Sequence, residues 1–214
     1  QGINYWVSYE ERGTAGDSRL IETIIYFGGA GSKKVEKIYV GYRMVDGEYQ
    51  AKYRIDYTYS GDNLTETRKY DVSTGQDIMV EKSVYAGEGE DNRIQETFFY
   101  TKDDQTNPFM RVKYNYDAEN RLRSAVTYAK RTDGSEYTAS ITTFAGEKGK
   151  ELADYTQTFD KEGNTLTTTI YYYKGGKRAS DGYYRDPKER SVTYWGDPFA
   201  HEGDLDENGD GIKD

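Results

Sequence analysis

Apolar and polar residues alternate with a period of two along most of the chain. From residue 49 to residue 59, every second side chain is Tyr, Ala or Ile, and the side chains between them are Gln50, Lys52, Arg54, Asp56 and Thr58. Residues 110–116 repeat the alternation. Successive side chains of a β-strand point to opposite faces, so this pattern predicts strands with one apolar face.

Short turn sequences separate the alternating segments. They contain Gly with Asp or a second Gly, for example Asp46-Gly47, Asp133-Gly134 and Gly175-Gly176. Such residues supply the positive φ angles that tight turns need. Because tight turns join antiparallel neighbours, the sequence predicts hairpins.

The strand starts recur at a regular interval. The first apolar residues after the turns form two interleaved series, which are Trp6, Val35, Leu64, Ile94, Leu122 and Leu152, and then Leu20, Tyr49, Ile78, Phe109, Tyr137, Leu166 and Trp195. Each series advances by about 29 residues, the length of one hairpin with its turns. We therefore expect an all-β antiparallel up-and-down meander of roughly 13 or 14 strands.

The apolar face of such a sheet must be covered. A closed barrel, or a flattened barrel-like sandwich, removes the exposed sheet edges and is the expected closure. A two-sheet sandwich and an open superhelical sheet with partners are the alternatives. The predicted organisation is one hairpin-repeat domain over residues 1–196, followed by an acidic tail over 197–214.

Composition narrows the possible partners. Among 214 residues there are 23 Tyr, 23 Gly and no Cys, and 29 basic against 38 acidic residues give a net charge of -9. The chain has no basic run that would neutralise phosphates, which argues against nucleic acid as a partner. It also has no apolar run of the roughly 20 residues that a membrane-spanning helix needs.

Three segments share one turn motif. Residues 57–64 read Tyr-Thr-Tyr-Ser-Gly-Asp-Asn-Leu, residues 114–122 read Tyr-Asn-Tyr-Asp-Ala-Glu-Asn-Arg-Leu, and 157–166 form a looser copy. This order of an aromatic residue, Asp, a Gly or Asn turn and an apolar residue resembles the YD repeats of bacterial Rhs-type surface and secreted proteins. The resemblance implies an extracellular bacterial β-repeat scaffold, and it implies no catalytic residue.

The acidic tail carries the chemistry of a calcium loop. Loop positions are counted from Asp206. Positions 1, 3, 5 and 9 then hold the side chains of Asp206, Asn208, Asp210 and Asp214, and position 7 offers the carbonyl of Ile212. Hard cations such as Ca²⁺ take six to eight oxygen ligands at such a spacing. The segment resembles the loops of EF-hands, dockerins and thrombospondin type 3 repeats. The chain stops before position 12, so we expect a weak calcium site, and a solvated acidic tail is the alternative.

Strand parity also places aromatic rings on the face opposite the main apolar one. These rings are Tyr39, Phe99, Tyr171 and Tyr173. Exposed rings can stack on the apolar face of a sugar while neighbouring polar groups bind its hydroxyls. The alternative is ordinary cross-strand pairing or a second buried face.

Two functions follow from these patterns. The first is a non-catalytic extracellular or cell-surface scaffold that binds a polysaccharide or another surface component, with calcium as the one cofactor. The second is a structural subunit that assembles with itself by edge-strand addition. An enzyme is not expected, because the sequence contains no recognisable set of acid, base and nucleophile.

Overall fold

The computed structural model describes residues 4–11, 18–26 and 34–200. The chain divides into two compact units, Gln1–Phe109 and Met110–Asp214. Unit 1 contains β1 (Asn4–Glu11), β2 (Ser18–Tyr26), β3 (Val35–Val40), β4 (Arg43–Val45), β5 (Glu48–Gln50), β6 (Tyr53–Ser60), β7 (Asn63–Asp71), β8 (Ile78–Ala86), a 3₁₀ turn (Gly89–Asp91) and β9 (Arg93–Phe99). Unit 2 contains β10 (Met110–Tyr116), β11 (Leu122–Lys130), β12 (Glu136–Ala145), β13 (Leu152–Phe159), β14 (Thr165–Tyr173) and β15 (Lys188–Trp195).

The nearly all-β, antiparallel up-and-down meander predicted from the sequence is confirmed. In unit 2 each strand pairs with the next one along the chain. Unit 1 follows the same rule except that β3 pairs with β6, because β4 and β5 form a separate small hairpin. Within the described ranges, no helix has the length and hydropathy of a membrane span.

The predicted closure into a barrel is wrong for each unit. The strands of unit 1 form one row from β1 to β9, those of unit 2 form one row from β10 to β15, and the end strands of a row do not pair with each other in the described residues. Substantial contacts between strands also run only between hydrogen-bonded neighbours there. In the described residues each unit is therefore a single row of hydrogen-bonded strands.

On the face opposite the alternating apolar residues, tyrosine rings pack against long basic side chains of the neighbouring strand. The guanidinium carbon of Arg54 lies 4.7 Å from the centroid of the Tyr70 ring, and that of Arg111 lies 4.1 Å from the centroid of Tyr128. Both are directly opposite cross-strand pairs. The aliphatic stem of an Arg shields apolar area while its charge interacts with the ring. Arg side chains and tyrosine rings therefore cover part of this face from within the same layer of strands.

Register shifts recur at aromatic residues near the strand ends. In the described pairings they fall immediately before Tyr9, Tyr26, Tyr59, Tyr70, Tyr85, Tyr116, Tyr128, Phe144, Phe159 and Tyr173. A bulge of this kind opposes two residues to one and increases the local twist of the sheet. The hairpin repeat seen in the sequence is therefore also a repeat of bulges.

The turn motif shared by residues 114–122 and 157–166 has a common hydrogen-bonding role. Asp117 Oδ1 accepts the backbone N–H of Arg121 at 2.9 Å, and Asp160 Oδ1 accepts that of Asn164 at 2.8 Å. Hydrogen bonds from the Asn164 side chain and backbone hold the pKa of Asp160 below its usual value. The aspartates thus close the turns between strands, where a carboxylate can satisfy several backbone N–H groups.

Candidate functional site

The two rings predicted to bind ligand in unit 1 lie on opposite faces of the sheet. Tyr39 on β3 pairs with Arg54 on β6. The cross-strand pairs from β9 back to β6 place Phe99 on the same face as Ile55. Ile55 is the residue next to Arg54 in β6, so it points to the opposite face from Arg54 and Tyr39. Adjacent residues of a strand point to opposite faces, so Tyr39 and Phe99 cannot contact one ligand on a single face.

Tyr39 lines a concave region of unit 1. A pocket of about 430 Å³ is bounded by Tyr39, Tyr42, Gln50, Ala51, Val72, Ser73 and Gly75. The Tyr42 hydroxyl donates a hydrogen bond to Thr23 Oγ1 at 2.9 Å, which holds the segment between β3 and β4 over the sheet. The prediction that Tyr39 contacts a ligand is compatible with this position.

Tyr173 in unit 2 is a core residue. Its exposed fraction is 6%, and its hydroxyl donates to the carbonyl oxygen of Ala153 at 2.7 Å. Burial raises the pKa of this phenol. The ring was expected to face water; it is covered because residues 174–187 fold back onto the end of β14, where Gly182 approaches Tyr173.

Tyr171 lies two residues before Tyr173 on the same face and is only half buried. Its hydroxyl lies 3.1 Å from Thr156 Oγ1, and the ammonium of Lys188 lies 4.9 Å from the ring centroid. The ring therefore lies beside the threonines of β13 and β14. Of the four rings predicted to bind ligand, Tyr171 is the one that borders a continuous surface of uncharged side chains.

That surface consists of two rows of uncharged side chains across all six strands of unit 2. One row is Tyr114, Ala125, Thr142, Thr156, Thr169 and Thr193, and the next row is Val112, Thr127, Ser140, Thr158, Thr167 and Trp195. The register and the strand alternation put all twelve on one face. We call these two rows the hydroxyl strip. In a chain with 31% charged residues, a charge-free strip of this extent is a marked departure from the average surface.

Cross-strand hydrogen bonds order the hydroxyl strip. The hydroxyl oxygens of Thr142 and Thr156 are 2.8 Å apart, and those of Thr169 and Thr193 are also 2.8 Å apart. A hydroxyl can donate one hydrogen bond and accept two, so these groups retain capacity for an external partner. Strands are about 4.8 Å apart and alternate residues about 6.8 Å apart, which makes the strip a regular grid of hydroxyl and methyl groups.

An exposed tryptophan ends one row of the strip. Trp195, on the last strand of unit 2, is 90% exposed. Single exposed apolar side chains are common on protein surfaces, so this ring is relevant because of its place at the end of the hydroxyl strip. Together with Tyr171 it provides aromatic rings beside the hydroxyl groups, the combination by which proteins bind sugars.

The sequence prediction missed both the strip and Trp195 as site residues. The available signal was the alternation of hydroxyl residues, as in Thr165, Thr167 and Thr169 on β14 and Thr156 and Thr158 on β13. The predicted calcium ligands, Asp206, Asn208, Asp210, Ile212 and Asp214, lie outside the described residues. Among the described residues no group of three or more His, Cys, Asp or Glu side chains is arranged to hold a metal ion.

Comparisons with known proteins add little to this picture. No family model matches the chain, and no curated protein matches it. The crystal structure of TarM is similar over 62% of this chain and 21% of TarM, with 10% identity and a TM-score of 0.31. A protein of unknown function from Bacteroides fragilis, BF3112, is similar over 92% of this chain and 95% of its own, with 11% identity and a TM-score of 0.20. Both scores are too low to assign a common fold.

Proposed function

We propose that this protein is a non-catalytic binding module, located outside the cell or on a bacterial cell surface, whose hydroxyl strip binds a neutral polysaccharide. The observation that carries the proposal is the charge-free strip with Tyr171 and the 90% exposed Trp195. Aromatic rings would stack on the apolar faces of sugar rings, and the threonine hydroxyls would bind sugar hydroxyls.

The shape and charge of the strip support a neutral, extended ligand. An acidic polysaccharide would need basic side chains on the contact surface, and the two rows contain none. Six strands spaced by about 4.8 Å make the strip about 24 Å long, which is longer than one sugar residue. Several successive residues of a polysaccharide could therefore contact it at once.

Retention on insoluble polysaccharides tests the proposal. The protein is incubated with cellulose, chitin, mannan and xylan, and the unbound fraction is measured. We expect Trp195→Ala and Tyr171→Ala each to weaken binding about tenfold or more, by analogy with the loss of one aromatic stacking contact, about 1 to 3 kcal/mol. Thr193→Lys places a charge on the exposed end of the strip and should weaken binding as well.

Thr132→Lys is the matched control for the added charge, because Thr132 is an exposed threonine in the turn after β11 and lies outside the strip. This variant should bind like the unmodified protein. Equal retention of the Thr193→Lys and Thr132→Lys proteins, together with unchanged retention of Trp195→Ala, would contradict the proposal. A protein that no polysaccharide in the panel retains would contradict it too.

Self-assembly by edge-strand addition is the second candidate. Among the described residues β15, which carries Trp195, forms the edge of the strand row in unit 2 and pairs with β14. Such an edge can add a strand from another copy of the chain. Light scattering at increasing protein concentration separates the two candidates. A polymer that forms with the unmodified protein but not with Trp195→Ala supports self-assembly, and a monomer at all concentrations contradicts it.

A further inference from the structure

The connection between β14 and β15 is unusually long for this protein. It covers residues 174–187, whereas the other hairpins of unit 2 are closed by short turns. Connections of this length without their own helix or strand are uncommon in compact domains, and where they are ordered they are usually functional. We call residues 174–187 the docked loop.

A bidentate ion pair fixes the docked loop to the sheet. Arg178 Nε and Nη2 donate to Asp154 Oδ1 and Oδ2 on β13, each at 2.8 Å. The backbone N–H of Ala179 also donates to Asp154 Oδ1, at 3.3 Å, and the Ala179 side chain is 1% exposed. A planar guanidinium fork of this kind fixes both distance and orientation.

The next part of the docked loop makes equally specific contacts. A Cβ at Gly182 would lie 3.0 Å from Leu152 Cδ1, so the loop backbone packs closely against this side chain. The backbone N–H of Tyr183 donates to Asp186 Oδ2 at 2.9 Å, and the N–H of Asp186 donates to the Tyr183 carbonyl at 2.7 Å. Tyr183 is therefore held in place although its side chain is 56% exposed.

The docked loop and the turn between β12 and β13 enclose a pocket of about 320 Å³. Tyr183 and Tyr184 form one side, with ring centroids 4.7 Å apart in an edge-to-face arrangement. Glu147, Lys150 and Ser180 provide polar groups. The volume is at the lower end of the range of ligand pockets, which suits a ligand of one or two sugar rings.

The polar groups of the pocket favour an uncharged ligand. Lys150 Nζ donates to Glu147 Oε2 at 2.9 Å, so the two charges already neutralise each other. The ammonium has further donors and the carboxylate further acceptors. Each hydroxyl of a sugar is both a donor and an acceptor, so two neighbouring hydroxyls match this pair, while the exposed Tyr183 ring offers an apolar surface.

We propose that this pocket is a separate carbohydrate site, which binds a single neutral pyranose residue between the Tyr183 ring and the Lys150–Glu147 pair. The site shares its ligand class with the proposed function but none of its residues. It can therefore bind a free sugar or the end of a glycan chain whether or not the hydroxyl strip binds a polysaccharide. Preorganisation of the docked loop reduces the entropy lost on binding.

Saturation-transfer NMR and titration calorimetry with soluble probes test this site. The probes are the methyl glycosides of glucose, galactose, mannose and N-acetylglucosamine, each at up to about 10 mM. At the ligand efficiency of small polar molecules, a methyl glycoside should bind with a Kd of about 1 mM. Tyr183→Ala should weaken this binding at least tenfold, and Tyr183→Phe, which keeps the ring, should keep it within about threefold.

Tyr137→Ala is the control, because Tyr137 is a ring of unit 2 that stacks with Arg131 away from the pocket. It should bind the glycosides normally. The inference is overturned if no glycoside binds, or if a folded Tyr183→Ala protein binds as tightly as the Tyr137→Ala protein. Because the soluble probes report on the pocket and retention on insoluble polysaccharide reports on the strip, failure of one proposal is distinguishable from failure of the other.

Discussion

Replacing Arg178 by Ala should release the docked loop while leaving the meander folded. Arg178 is the side chain that joins this loop to β13, through two charge-assisted hydrogen bonds to Asp154. Without it, the bond that the described residues still donate to the Asp154 carboxylate is the longer one from the backbone N–H of Ala179. Local opening of residues 174–187 would then become easier without the loss of any strand pairing.

The expected size of the effect follows from the geometry. Hydrogen bonds to charged groups contribute about 1.5 to 3 kcal/mol, and partial exposure to solvent reduces this contribution. The side chains of Arg178 and Asp154 are 32% and 18% exposed, so this pair lies between a surface pair and a buried one. We therefore expect a loss of about 2 kcal/mol, which makes the open loop roughly 30-fold more populated.

Limited proteolysis with trypsin measures this population. Besides Arg178 itself, the docked loop contains Lys174, Lys177 and Arg185, which both proteins share, and cleavage at these residues requires the loop to open. When opening is fast compared with cleavage, the cleavage rate follows the equilibrium population of the open form. Cleavage between β14 and β15 should accelerate roughly 30-fold in Arg178→Ala, with β-sheet circular dichroism unchanged.

Arg111→Ala is the matched control. Arg111 forms a second bidentate pair in unit 2, to Glu136, with Nε to Oε1 at 3.0 Å and Nη2 to Oε2 at 2.9 Å. Its loss should leave cleavage of the docked loop within about twofold of the unmodified protein. If both variants accelerate cleavage of this loop equally, the Arg178 pair does not hold it, and the reasoning about a preorganised pocket is refuted.

Three further predictions concern other parts of the chain. Gly87→Ala should lower the free energy of unfolding, measured by urea denaturation, by more than about 2 kcal/mol, because the new Cβ would lie 2.2 Å from the Asp91 carbonyl oxygen at a φ of +102°. The control Gly89→Ala, at a φ of +54° and with open space around the Cβ, should cost about 1 kcal/mol. Hydrogen bonds from Asn107 and Thr106 lower the pKa of Asp104 to about 2. The ionised carboxylate therefore stabilises the fold fully above the unfolded pKa near 3.9, and this stabilisation is lost as the pH falls through about 2. Asp104→Asn should remove the loss of stability between these two pH values from the acid unfolding curve, and an unchanged curve would contradict the prediction. Titration calorimetry with millimolar calcium should give a Kd no tighter than about 0.1 mM for the tail and no heat with Asp210→Ala, while absence of heat in the unmodified protein would leave a solvated acidic tail.

The class of fold follows from patterns that are visible in the sequence alone. Period-two alternation, Gly and Asp turns and the hairpin repeat are local properties, and each depends only on residues close together in the chain. The same local chemistry lets Asp117 and Asp160 close their turns. Nothing in the distant parts of the chain was needed for these predictions, so they could be made before the structure.

Contacts between distant residues set how the sheet ends and which rings are exposed, so neither can be read from a single strand. The expected barrel needs its end strands to pair, but the end strands of each unit do not pair with each other in the described residues. Parity within a strand also says nothing about the next strand, because the bulges reset the register at each hairpin. For that reason the sequence alone predicts Tyr39 and Phe99 on the same ligand-binding face, whereas the structure places them on opposite faces of the sheet.

The hydroxyl strip and the docked loop depend on the same long-range information. Thr142, Thr156 and Thr169 become neighbours only through the register of three strands, and their alternation alone is equally typical of an ordinary half-buried sheet. Likewise, Tyr173 is buried and Tyr183 is exposed because one ion pair folds the connection after β14 back onto the sheet. That contact joins residues 24 positions apart, and no local pattern specifies it.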